Sequence, residues 1–120
     1  MLRPGLFFLN AHLGEFDSSR FYYLGAALEL LHLATLVHDD ILDDAELRRG
    51  TLSVAAKVGT KKAVLIGDYL FSKSFILLSE YAKIDNYRQF AGAVARICES
   101  EIDQGSHPWE EEISMRRYLR

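Results

Sequence analysis

An all-α fold is predicted by two observations. Apolar residues recur at intervals of three and four through most of the chain, and no segment alternates with the period of two that a half-buried strand requires. Pro4, then Leu6, Phe7, Leu9 and Leu13 with a closing Gly14, predict a short first helix. Asp17, Ser18 and Ser19 are capping candidates for a long second one. Within it Tyr22, Leu24, Ala27, Leu28, Leu31, Ala34, Thr35 and Val37 place apolar residues on more than one side, the pattern of a buried helix. An acidic run from Asp39 ends it. Ala45–Gly59, with Gly50, Thr51, Ser53 and Gly59, reads as loop plus a short turn. Helical spacing resumes from Lys61 to about Ala82.

Ile84–Asn86 breaks the pattern, which returns from Tyr87 to about Ser106 through Phe90, Val94, Ile97, Cys98 and Ile102. Pro108 interrupts it before a last segment, Glu110–Leu119. The expectation is about five helices in a single domain, 1–120, with no repeat or low-complexity stretch. Helices apolar around much of their circumference need more neighbours than these segments supply, so association with another polypeptide is expected.

Composition narrows the function. With 49% hydrophobic and 26% charged residues in 120, the chain is an ordinary globular protein, and its net charge of -3 offers no basic face for nucleic acid. Cys98 is the sole cysteine, so no internal disulfide forms and a reducing cytoplasm is the expected compartment. Its place in a helical apolar pattern marks it as a small core residue rather than a nucleophile. Leu6–Leu9 is too short for a signal core. Phe21–Leu42 is interrupted by Glu29, His32 and the aspartates, so no transmembrane segment is expected.

Asp39, Asp40 and Asp43 stand at i, i+1 and i+4, followed by Arg48-Arg49-Gly50. On a helix Asp39 and Asp43 share a face one turn apart, with Asp40 roughly 100° around. Hard carboxylate oxygens suit Mg²⁺, which takes one or two carboxylates with substrate phosphate oxygens and water. Arg48 and Arg49 are permanently charged forks that fit phosphate oxygens. The bland reading is a solvated helix end with ordinary surface arginines. Against it, acidic residues favour helix N-termini, and these sit at a C-terminal end where the dipole opposes them. A site for metal ions and diphosphate explains the placement.

His32 to Phe75 carries His38-Asp39-Asp40-Ile41-Leu42-Asp43, Leu47-Arg48-Arg49-Gly50 and Gly67-Asp68-Tyr69-Leu70-Phe71-Ser72 in order. The stretch resembles the trans-polyprenyl diphosphate synthases. Arg3-Pro4 is similar to the end of that family's early Gly-Lys-Arg-x-Arg-Pro motif, and Ser100-Glu101-Ile102-Asp103-Gln104 to its later Gly-Glu-Ile-x-Gln segment, with Ser100 for glycine. Terpene cyclases share an aspartate-rich motif of this form, but the closely following Arg-Arg-Gly points to the synthases. The resemblance implies part of an isoprenoid-synthase helical bundle, and condensation of isopentenyl diphosphate with an allylic diphosphate. It implies Mg²⁺ at Asp39, Asp40 and Asp43 holding the allylic diphosphate, with Arg48 on the same group. Arg3, His32 and Arg49 would bind isopentenyl diphosphate, and Gln104 would line the pocket. Spacing alone leaves His32 open between ligand and packed histidine. Asp68 is expected to fix helix packing.

In the family, bulky residues four or five positions before the first aspartate block the growing tail. Those positions are Thr35 and Ala34, both small. A medium or long product is therefore expected, with Leu31, Leu28, Phe71 or Phe75 as deeper floors; the alternative is that Ala34 and Thr35 merely permit close helix contact.

Two family elements are missing from these 120 residues. Neither the second aspartate-rich motif nor the Lys-Thr element that also binds diphosphate occurs, and the early motif is cut short at Met1-Leu2. Carboxylates on one side only leave a multiply charged leaving group half-neutralised. The expectation is one subunit of a split hetero-oligomeric synthase whose partner carries the second motif. The alternatives are a fragment of a longer synthase, a regulatory subunit that would have little reason to keep these residues together, or a binding module without chemistry.

Overall fold

Residues 2–13 and 18–105 are described by a computed structural model, without side-chain placement at 2–4, 18, 19, 104 and 105. The expected segment Glu110–Leu119, and Gly14 and Asp17, lie outside these residues. The chain divides into two units, 1–83 and 84–120.

In the first unit α1 (Leu2–Ala11) leads to the long helix α2 (Ser18–Leu42), then strands β1 (Leu47–Arg48) and β2 (Thr51–Leu52), a short α3 (Val54–Val58) and α4 (Thr60–Tyr81). Three cross-helix contacts fix the main packing. Arg20, near the start of α2, donates from Nε to the carbonyl oxygen of Tyr81. Tyr23 stacks on Tyr81 with ring centroids 4.1 Å apart. Far along α2, His38 meets α4 near its start, beside Val64, Gly67 and Asp68. The two helices therefore run antiparallel.

Small side chains make close approach possible: Ala27 and Ala34 on α2, and Ala63, Gly67 and Ser74 on α4, are all buried. Val37 and Leu78 complete this core. Larger apolar residues, among them Leu33, Leu65, Tyr69 and Ile76, are exposed, which is more apolar surface than a lone helical pair keeps in water. The stretch Arg20–Leu42 is long and apolar enough, at a mean hydropathy of 1.2, to meet the length and composition test for a membrane span. That same length and apolarity describe the central helix of a bundle, the place it occupies along α4.

The end of α2 is a Schellman cap. Ala45 N–H bonds the Asp40 carbonyl at 2.9 Å and Asp44 N–H that of Ile41 at 3.3 Å, while Asp44 takes the left-handed φ of 49° usually given to glycine. The fold class is all-α as expected, and the reading of Ala45–Gly59 as loop plus a short turn needs one local correction. The segment after the cap is not plain loop: Leu47 pairs with Leu52 and Arg48 with Thr51 in an antiparallel hairpin. Arg49 (φ 50°) and Gly50 (φ 80°) form its two-residue bend, and positive φ at both positions is what the twist of a tight hairpin demands. Ser53 N–H then bonds the Glu46 carbonyl, closing the loop, and the Ser53 hydroxyl accepts from Ala56 N–H at 3.0 Å to cap α3.

The second unit holds α5 (Ile84–Gly105), which begins three residues earlier than the periodicity predicts. Only Ala82 and Lys83 separate it from α4. Its half-buried residues are Tyr87 and Phe90–Val94, and from Ala95 to Asp103 all side chains are exposed. Cys98, expected in the core, is therefore exposed, because the half-buried stripe stops one turn before it.

Candidate functional site

The last turn of α2 carries Asp39 and Asp40 and contains no basic residue, so the carboxylates meet the negative end of the helix dipole uncompensated within their own helix. Asp43 follows as the cap residue, its N–H bonded to the Asp39 carbonyl at 2.9 Å, which places the two one turn apart. Asp43 is exposed and Asp39 half-buried.

Asp40 differs from both. It is only 4% exposed, and its Oδ1 accepts a hydrogen bond from Arg48 Nε at 2.6 Å. The reversal at the Schellman cap makes this pair possible: it turns the chain back so that β1, the first strand of the hairpin, delivers an arginine to the buried carboxylate. A buried carboxylate without such a partner would be strongly disfavoured. Spacing alone assigns the three aspartates equal standing as ligands; in the structure Asp40 is joined to Arg48, leaving Asp39 and Asp43 as the more open pair. Arg49, at the hairpin bend, is exposed.

Among the described residues, no three His, Cys, Asp or Glu side chains are gathered closely enough to hold a metal ion unaided. Two carboxylates a turn apart nevertheless fit Mg²⁺, an ion that completes its shell with phosphate oxygens and water.

On the opposite flank of the acidic turn lies a histidine to which sequence reasoning gave no role. His38 Nε2 stands 3.4 Å from Asp68 Oδ1, and its ring stacks on Phe71 with centroids 5.7 Å apart. A Cβ added to Gly67 would lie only 2.6 Å from His38 Cδ2, so the ring occupies space that any larger residue would need. Asp68 thus links α4 to α2, the packing role expected of it. The readable signal was Gly67-Asp68 itself; its partner, 29 positions away, was not legible from periodicity.

His32 is half-buried on α2, two turns before Asp39, and its carbonyl accepts from the Thr35 hydroxyl at 2.9 Å. Ala34 is fully buried, on the α2 face that reaches α4 one turn later through His38, as close helix contact requires. Thr35 and Leu31 are half-buried. Arg3 lies on α1 and Gln104 on α5, and their side chains are outside the described set.

The family model for polyprenyl synthetases matches residues 1–120. This chain belongs to that family. It is 37% identical over 119 residues to heptaprenyl diphosphate synthase component 2 of Geobacillus stearothermophilus, covering 99% of this chain and 37% of that protein. A polyprenyl synthase of Caulobacter crescentus CB15, solved in complex with calcium and isoprenyl diphosphate, superposes with a TM-score of 0.90 at 36% identity, over 98% of this chain and 36% of that one. Geranylgeranyl pyrophosphate synthase of Lactobacillus brevis superposes at 0.91 with 31% identity, again over 98% of this chain and 37% of its own. The chain spans little more than a third of the length of the relatives it matches. The all-α fold is that of the matching part of these enzymes.

Proposed function

We propose that the chain supplies the first half of the active site of a trans-polyprenyl diphosphate synthase, a prenyltransferase of isoprenoid biosynthesis that condenses isopentenyl diphosphate with an allylic diphosphate. One observation carries the reading: Asp39 and Asp43 stand together at a helix end that disfavours acidic groups, beside an arginine-bearing hairpin. The Caulobacter relative, solved with a divalent cation and an isoprenyl diphosphate, supports the same chemistry.

Asp39 and Asp43 are the carboxylates that hold Mg²⁺, with Asp40 adding its charge from behind and fixing Arg48. When bound, the ion supplies positive charge for the departing diphosphate. Arg48 orients the allylic diphosphate and stabilises its negative charge as the carbon–oxygen bond breaks. The double bond of isopentenyl diphosphate then attacks the allylic cation, and loss of a proton leaves a chain one isoprene unit longer. Arg49, Arg3 and His32 grip isopentenyl diphosphate, Gln104 lines the pocket, and the small Thr35 and Ala34, with Leu31 deeper, admit a medium or long product.

The rest of the cage comes from a second cytoplasmic subunit bearing the second aspartate-rich motif, as the word "component" in the name of the Geobacillus relative suggests. The exposed apolar side chains of α2 and α4 suit such a partner. The relatives' greater length favours a second reading, in which the remaining two-thirds of a synthase lies on the same polypeptide. Assay of the chain with its co-purifying partner, Mg²⁺ and both diphosphates should yield elongated product, and neither component alone should. Turnover by this chain in isolation would overturn the split site. Asp39→Ala in the complex should cut kcat by about a hundredfold or more; unchanged activity would assign the chain a regulatory role instead.

A further inference from the structure

We infer that His38, Gly67 and Asp68 form a latch that sets the rotation of the acidic turn, making them positioning residues for the diphosphate site; this rests on the function proposed above. Successive helical residues are turned by roughly 100°. Taking His38 as origin, Asp39 lies at about 100°, Asp43 at about 140° and Asp40 at about 200° around α2. The two open carboxylates therefore occupy an arc bracketed by two fastened residues. On one side His38 is seated over Gly67, 3.4 Å from Asp68 Oδ1 and stacked on Phe71. On the other, buried Asp40 is held by Arg48 at 2.6 Å.

The packing of Ala34 and Val37 holds the body of α2, and the two fastenings flank its last turn. Both together fix which way Asp39 and Asp43 face. The latch depends on an absent side chain, because a Cβ at position 67 would crowd the edge of the His38 ring, 2.6 Å from Cδ2 and 2.9 Å from Cε1, and the ring would have to move. Gly67→Ala should therefore act on the site through His38 and not through α4, where alanine is the better helix former.

The test uses the full chain in its assembled complex, with Mg²⁺-dependent binding of inorganic pyrophosphate read by calorimetry beside steady-state kinetics. Gly67→Ala and His38→Ala should each weaken that binding by about tenfold, as loss of a supporting contact behind a metal site does. The double variant should be no worse than either single one, since both changes remove the same contact. kcat should fall while KM for isopentenyl diphosphate stays near its original value. Losses that multiply in the double variant, or pyrophosphate binding unchanged in both single variants, would overturn the latch. If Gly67→Ala does not fold, Asp68→Ala, at a position whose side chain is 61% exposed, carries the same test against His38→Ala. Absence of Mg²⁺-dependent binding in the unaltered complex sinks the functional reading itself, whereas binding that survives every latch variant sinks only the latch.

Discussion

At its N-terminal end α2 is held by rings, with Phe7 against Phe21 at 5.7 Å, Phe8 against Tyr22 at 5.3 Å and Tyr23 stacked on Tyr81. Arg20, bonded to the Tyr81 carbonyl, is the polar exception there. At its C-terminal end the same helix is held mainly by polar and charged contacts, His38 to Asp68 and Asp40 to Arg48, with the His38–Phe71 stack as the ring exception. Ring contacts are broad and tolerate small rotations, since most of their stabilisation comes from area removed from water. A 2.6 Å bond to a buried carboxylate tolerates very little. On the function proposed above, the difference follows the task of each end: one stays packed, while the other would also aim two carboxylates. Glycine serves both, since Gly25 leaves room for Phe8, whose Cζ would be 3.0 Å from a Cβ there, as Gly67 leaves room for His38.

Arg48→Ala should break this contrast most severely. It strands a carboxylate that is 4% exposed, and the loss should be roughly 3 kcal/mol, at the low end for a buried pair because Arg48 itself is one-third exposed. A lowered urea midpoint at unchanged slope would measure it. Phe8→Ala at the other end should cost about 2 kcal/mol, less than for a fully buried phenylalanine because the ring is half-buried. It should leave Mg²⁺-dependent pyrophosphate binding intact; a comparable loss of binding would show that the two ends are not separate in function. The smallest effect has the opposite sign. Asp43→Asn removes a negative charge from the end of α2 and should raise stability by about 0.5 kcal/mol while lowering activity, a combination readable from thermal unfolding and turnover on one sample.

Much of the helical frame was legible because it rests on local signals. Apolar spacing and the serine at position 18 located α2, and the break near residue 83 separated α4 from α5. The hairpin was missed because each strand is two residues long, too short for alternation to register, and because Arg48-Arg49-Gly50 was understood through its charges. Gly50 after a residue able to take positive φ was the available turn signal. At the site, charge and spacing found the acidic turn and its arginines. They did not distinguish Asp40 from its neighbours, since adjacent residues on a helix differ by a rotation whose meaning depends on what the chain brings back against it. His38 was hidden for the same reason: which face of α2 meets α4 is decided by small residues far apart in sequence.

Arg49 occupies the bend of the hairpin in a left-handed backbone conformation, with φ at 50°. Asparagine or glycine would sit there more comfortably, and arginine carries a conformational cost of order 1 kcal/mol. A bend shaped for ease of folding alone would be neutral; this one keeps a permanent cation at its apex. Engineering for heat resistance that relaxed this corner would therefore erase positive charge from the rim, setting durability against the diphosphate binding proposed for that residue.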